Sequence, residues 1–170
     1  RAFGFEVLTS DPFVSAETVA QAGATLVDLD TLLRESDFVS LHSPLAEETR
    51  NMIGSRELAL MKPESFLINC ARGPLIDEVA LYDALSSQQI GGAGLDVMVD
   101  AEPPPETPLF KLDNLLVTPH VAFFSQEATL ELEQRAAREV AYVLTGRMPD
   151  NLVNPAVLDH PNPRHSLKKG

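Results

Sequence analysis

Short runs rich in Val, Leu, Ile and Phe recur along this chain, separated by segments whose apolar residues fall three or four positions apart. The first pattern fits buried strands and the second fits helices packed by one face, so their alternation predicts an α/β fold built on a parallel sheet. Strands are expected near residues 6–8, 25–27, 38–41, 66–69, 93–97 and 115–118.

Helices are expected between them. One covers 16–22 and closes at Gly23, and a second follows Asp30 as its N-cap. Ser55 should cap SRELALMK, which Pro63 ends, and Asp77 should open DEVALYDAL. The longest runs from about Ser125 to Thr145, with Gly146 as its stop, and leads into an extended, proline-punctuated arm and a loose tail.

In an open parallel sheet, ligands collect beyond the carboxyl ends of the strands, where loops converge. Several residues with useful chemistry fall there. Asp11 follows the first strand, where a carboxylate can accept the hydroxyls of an adenosine ribose and repel a ribose phosphate, favouring NAD over NADP; taken alone, Asp11-Pro12 reads first as a turn. His42, Ser43 and Pro44 end the third strand, and their loop runs on through Thr49; these could meet a ribose or nicotinamide, or form an ordinary turn.

Arg72 lies just past the fourth strand, in FLINCARGPLID. A guanidinium is a permanently charged fork matched to a carboxylate, although Asp77 or Asp96 could also receive it. Asp96 ends the fifth strand, Glu102 lies in the next loop, and His120 follows the sixth strand. A histidine beside a carboxylate could hold a proton for a carbonyl oxygen, or it could merely satisfy a backbone group.

Composition narrows the classes. With 170 residues, 44% of them hydrophobic, one globular domain with an appendage is the expectation. A net charge of −12 argues against nucleic acid as a ligand, since the one basic cluster, Arg164 with Lys168 and Lys169, sits in the tail. One cysteine excludes an internal disulfide, and the four histidines show no metal-ligand spacing with it. No apolar run suits a membrane span and no leader pattern is present, so a soluble cytoplasmic protein is expected.

LHSPLAEETRNMIG at 41–54, FLINCARGPLIDEVAL at 66–81, GGAGLDV at 91–97 and NLLVTPHVAF at 114–123 resemble motifs of the D-isomer-specific 2-hydroxyacid dehydrogenases. The resemblance implies a doubly wound, Rossmann-like sheet lacking its first strand and glycine-rich phosphate loop, so the chain is expected to begin mid-fold. Residues 1–121 would form a partial dinucleotide-binding domain. Residues 122–155 would be a helix and arm returning to the substrate domain, with 156–170 a flexible tail.

By the same resemblance, Arg72 looks like the arginine that binds the substrate carboxylate and carbonyl, His120 like the acid/base, and Glu102 like its carboxylate partner. Asp96 would contact the nicotinamide side of the cofactor and Asp11 its ribose, while Ser43, Pro44, Thr49, Cys70, Ala71 and Arg72 would line NAD. Glu102 stands six residues after Asp96 where the family usually has five, which leaves Asp100 as a competitor.

The implied activity interconverts a small 2-keto acid and a D-2-hydroxy acid, in a homodimer when full length, with the isolated chain inactive. The stretch from Val121 to Asn154 also resembles the corepressor branch of the family, so an NAD-sensing scaffold stands as the alternative.

Overall fold

The computed structural model describes residues 3–159. Arg164, Lys168, Lys169, His160, His165 and most of the expected tail lie outside the described residues. The chain divides into two compact units, Arg1–Ala122 and Phe123–Gly170.

In the first unit the elements run β1 (Leu8–Thr9), α1 (Ala16–Ala22), β2 (Thr25–Leu26), α2 (Leu29–Glu35), β3 (Phe38–Leu41), α3 (Ser55–Leu58), β4 (Phe66–Asn69), α4 (Glu78–Ser86), β5 (Gly92–Leu95) and β6 (Leu115–Val117). All strand pairs are parallel. β1 pairs with β2, and β3-β4-β5-β6 form a second sheet in that order. Among the described residues no strand joins β1 to β3, so the doubly wound sheet stands as two pieces.

Alternation decides which face of the larger sheet is buried. Val39, Leu41, Leu67, Ala93 and Leu95 point into a core shared with Leu58, Leu81, Leu85 and Ile90. Phe38 and Phe66 face the other way and stack at 5.6 Å between ring centroids.

Local signals explain most helix ends. Ser15 and Asp77 cap α1 and α4 by accepting first-turn N–H groups, and Gly23 closes α1 at φ 81°, a conformation open to glycine at little cost. Two caps differ from expectation. Asp28, not Asp30, caps α2 by accepting the Thr31 N–H at 2.8 Å. Asp30 instead sits in the first turn and takes Arg34 at 3.3 Å and Arg56 at 2.6 Å.

Gly54, not Ser55, precedes α3, and its N–H is received by the Glu57 carboxylate at 3.1 Å. That helix stops at Leu58, well before Pro63. The first strand also lies later than expected, because Val7 contributes only its carbonyl, to Thr25 N–H, before paired strand begins at Leu8.

The second unit holds α5 (Gln126–Leu144), capped by Ser125, which accepts the Ala128 N–H at 3.0 Å. Gly146 follows at φ 74°, and Arg147 folds back over the Tyr142 ring at 4.1 Å. The arm is not extended throughout, for Pro155–Asp159 closes into a short 3-10 turn.

Candidate active site at the carboxyl ends of the strands

Two hollows open at this edge of the first unit. One is lined by Ser10, Asp11 and Pro12 after β1, Leu26 and Val27 at the end of β2, and Asp28 and Thr31 at the start of α2. Asp11 lines this hollow after β1, and its Oδ1 accepts the Phe13 N–H at 2.8 Å, as an Asp-Pro turn would have it. Asp28 beside it is held below the usual carboxylate range by the Thr31 N–H and hydroxyl.

The other hollow lies between the ends of β3 and β4 and is lined by His42, Ser43, Pro44, Leu45, Cys70, Ala71 and Arg72. Five of the residues expected along the cofactor thus come together there. Thr49 does not line it. Its hydroxyl accepts from Ala46 N–H at 2.8 Å and donates to Pro44 carbonyl at 2.7 Å, fastening the loop that presents Pro44.

Arg72 is exposed at this edge. Neither Asp77 nor Asp96 receives it: among the described residues it makes no ion pair, and its guanidinium donates to the Ala71 carbonyl at 2.6 Å. The turn carrying it hangs on Asn69, the wholly buried last residue of β4. Asn69 accepts the Ala71 N–H at 3.0 Å and donates to the Arg72 carbonyl at 2.9 Å. A polar residue ending an apolar strand just before a Gly-Pro breaker was the available signal for it.

On the neighbouring strand Asp96 plays a matching part. It is buried, its N–H donates to the Asn69 carbonyl at 2.9 Å, and its own carbonyl receives the His120 N–H at 2.9 Å. Its carboxylate accepts the Thr118 hydroxyl, the Val121 N–H at 2.8 Å and the Ala122 N–H at 2.9 Å. Burial alone would raise this carboxyl, but those three donors and the nearby His120 outweigh it and hold the group below the usual carboxylate range.

The turn so gripped carries His120, exposed and at φ 55°, a conformation most side chains avoid. Glu102 lies in the exposed loop after β5, its N–H received by Asp100 Oδ1 at 3.0 Å, so Asp100 supports the Glu102 backbone.

Residues 1–122 match the family described as D-isomer specific 2-hydroxyacid dehydrogenase, NAD binding domain. The chain is 41% identical over 155 residues to a D-3-phosphoglycerate dehydrogenase of Methanocaldococcus jannaschii, covering 91% of this chain and 29% of that protein. It is 41% identical over 158 residues to a glyoxylate reductase of Korarchaeum cryptofilum, covering 93% and 48% respectively.

Among solved structures, D-lactate dehydrogenase with NAD+ from Lactobacillus jensenii superposes with a TM-score of 0.81 at 33% identity, over 90% of this chain and 49% of that one. The chain thus spans about half the length of these proteins or less. The likeness establishes the Rossmann-like fold.

Proposed function

The chain belongs to the D-isomer specific 2-hydroxyacid dehydrogenase family, and from that premise we propose that its full-length protein interconverts a small 2-keto acid and a D-2-hydroxy acid using NAD. One observation carries the reading: an arginine that makes no ion pair among the described residues lines a groove at the carboxyl edge of β4, one strand from the buried aspartate that grips the His120 turn.

The residues present suit the cofactor. Asp11 and Asp28 stand where ribose hydroxyls could be received, and the groove from Ser43 to Arg72 offers a mixed apolar and polar wall for the nicotinamide half. NAD, when bound, supplies or takes up the hydride.

The chain's own side chains do the rest. Arg72 binds the substrate carboxylate through its paired donors and so orients the carbonyl. His120 gives a proton to the carbonyl oxygen in reduction and takes it back from the hydroxyl in oxidation, with Glu102 as its carboxylate partner.

In this reading residues 1–121 are most of the cofactor-binding domain and 122–155 belong with the substrate domain. A homodimer of the full-length protein is part of the same proposal. No helix of the described residues is long and apolar enough to cross a membrane; a cytoplasmic site of action is part of the proposal.

The test is NADH oxidation by the full-length protein with glyoxylate, hydroxypyruvate and pyruvate. Turnover that Arg72→Ala and His120→Ala each reduce by about a hundredfold or more, with NADH binding retained, is expected. Tight NAD binding without turnover on any of the three would count against the enzyme and for the scaffold.

A further inference from the structure

Glu78 is the first residue of α4, yet it does not cap that helix, because Asp77 already accepts the Val79 and Ala80 N–H groups. Its carboxylate Oε1 instead reaches across to the loop after β5 and accepts the Val99 N–H at 2.6 Å. The same stretch of loop is also met by the arginine turn itself. A methyl group placed on buried Gly73 would lie 2.0 Å from the Met98 carbonyl oxygen and 2.5 Å from the Val99 nitrogen, so the two backbones run in direct contact.

Met98 and Val99 are thus held by the residue that follows Arg72 and by the first turn of the helix beyond it. Three residues later the loop reaches Glu102, whose N–H is steadied only locally, by Asp100. We propose that Glu78 is a positioning residue that fixes the loop after β5, and with it Glu102, against the turn that carries Arg72. The proposal rests on the reading of Arg72 and Glu102 as active-site groups, and it assigns Glu78 no contact with substrate. A charge-assisted hydrogen bond to a loop amide suits the task, since such bonds are short and direct and an exposed loop has few others to order it.

The experiment compares Glu78→Ala and Glu78→Gln in the full-length protein, by amide hydrogen exchange over residues 97–102 and by steady-state kinetics with NADH and glyoxylate or hydroxypyruvate. Glu78→Ala should speed exchange across 97–102 and lower kcat about tenfold, with the KM for NADH within about twofold. Glu78→Gln keeps an acceptor oxygen and should restore most of both.

In a Glu102→Gln background, Glu78→Ala should cost little more, because the two changes act on one group. Unchanged exchange in Glu78→Ala, or an undiminished penalty in the Glu102→Gln background, would overturn the proposal. Wild-type protein without turnover would remove the catalytic reading, while the exchange arm would still decide whether Glu78 orders the loop.

Discussion

The side-chain amide of Asn69 donates to the Arg72 carbonyl at 2.9 Å, so the residue that ends β4 also shapes the turn that presents the cation. With the Ala71 N–H received at the other end of the amide, both polar atoms of a wholly buried side chain serve that turn. Replacement by leucine would fill the space but strand an N–H and a carbonyl.

Asn69→Leu is therefore expected to lower unfolding free energy by about 1–3 kcal/mol, measured by denaturant titration. In the full-length protein, on the proposed activity, it should also raise the KM for a 2-keto acid more than that for NADH, since the arginine loses its support. A KM pair unchanged from wild type would show that the Arg72 turn holds without it.

Asp96 makes a prediction about acid. A carboxyl held below its unfolded value stabilises the fold above that value, and the stabilisation fades as pH falls through the ordinary carboxylate range toward the folded one. Wild-type stability should thus decline below about pH 4 in part through this group. Asp96→Asn should be less stable at pH 7, because an amide places a donor among three donors, and its stability should depend less steeply on pH in acid. Equal acid slopes for the two proteins would mean that other carboxylates carry the whole decline.

Some of this was legible in the residues and some was not. β3 and β4 fall where the alternation of Phe38–Leu41 and Phe66–Asn69 puts them, and the caps at Asp77 and Ser125 follow from local chemistry. The choice between Asp28 and Asp30 was not local. Either could open α2, and the arrangement gives Asp30 a partner in Arg56, twenty-six positions away.

Asp96 shows the same limit at the site. Its place at the end of a strand was readable, but not that its oxygens serve a turn 22–26 residues downstream. Asn69 and Glu78 looked like ordinary polar residues in one strand and one helix. Their importance lies in what they reach, which spacing along the chain does not encode.

Gly73 tests how closely the loops must approach. Its absent side chain is replaced in space by the Met98 carbonyl, so Gly73→Ala must push one backbone off the other. Because the neighbour is backbone and not a flexible side-chain tip, the expected cost is about 1–3 kcal/mol in thermal or denaturant unfolding. Activity should fall with it, as Arg72 and the loop bearing Glu102 are driven apart. An alanine variant with wild-type stability would mean that the 72–75 turn and the 98–99 loop can separate freely.

The hollow beside β1 predicts cofactor choice. Asp11 and Asp28 both line it, and Asp28 is held below the usual carboxylate range, so at neutral pH it presents negative charge to the hollow proposed for the adenosine ribose. Ribose hydroxyls can donate to such groups, whereas a ribose phosphate would be repelled. The full-length protein should therefore use NADH in preference to NADPH. Asp11→Asn separates charge from shape, because the amide oxygen can still accept the Phe13 N–H that holds the turn. That variant should narrow the NADH preference in kcat/KM by about tenfold, equivalent to about 1.4 kcal/mol. Added salt should narrow the wild-type preference as well, since the repulsion acts between partly solvated charges. A preference that Asp11→Asn and salt both leave unchanged would show that the cofactor is chosen elsewhere.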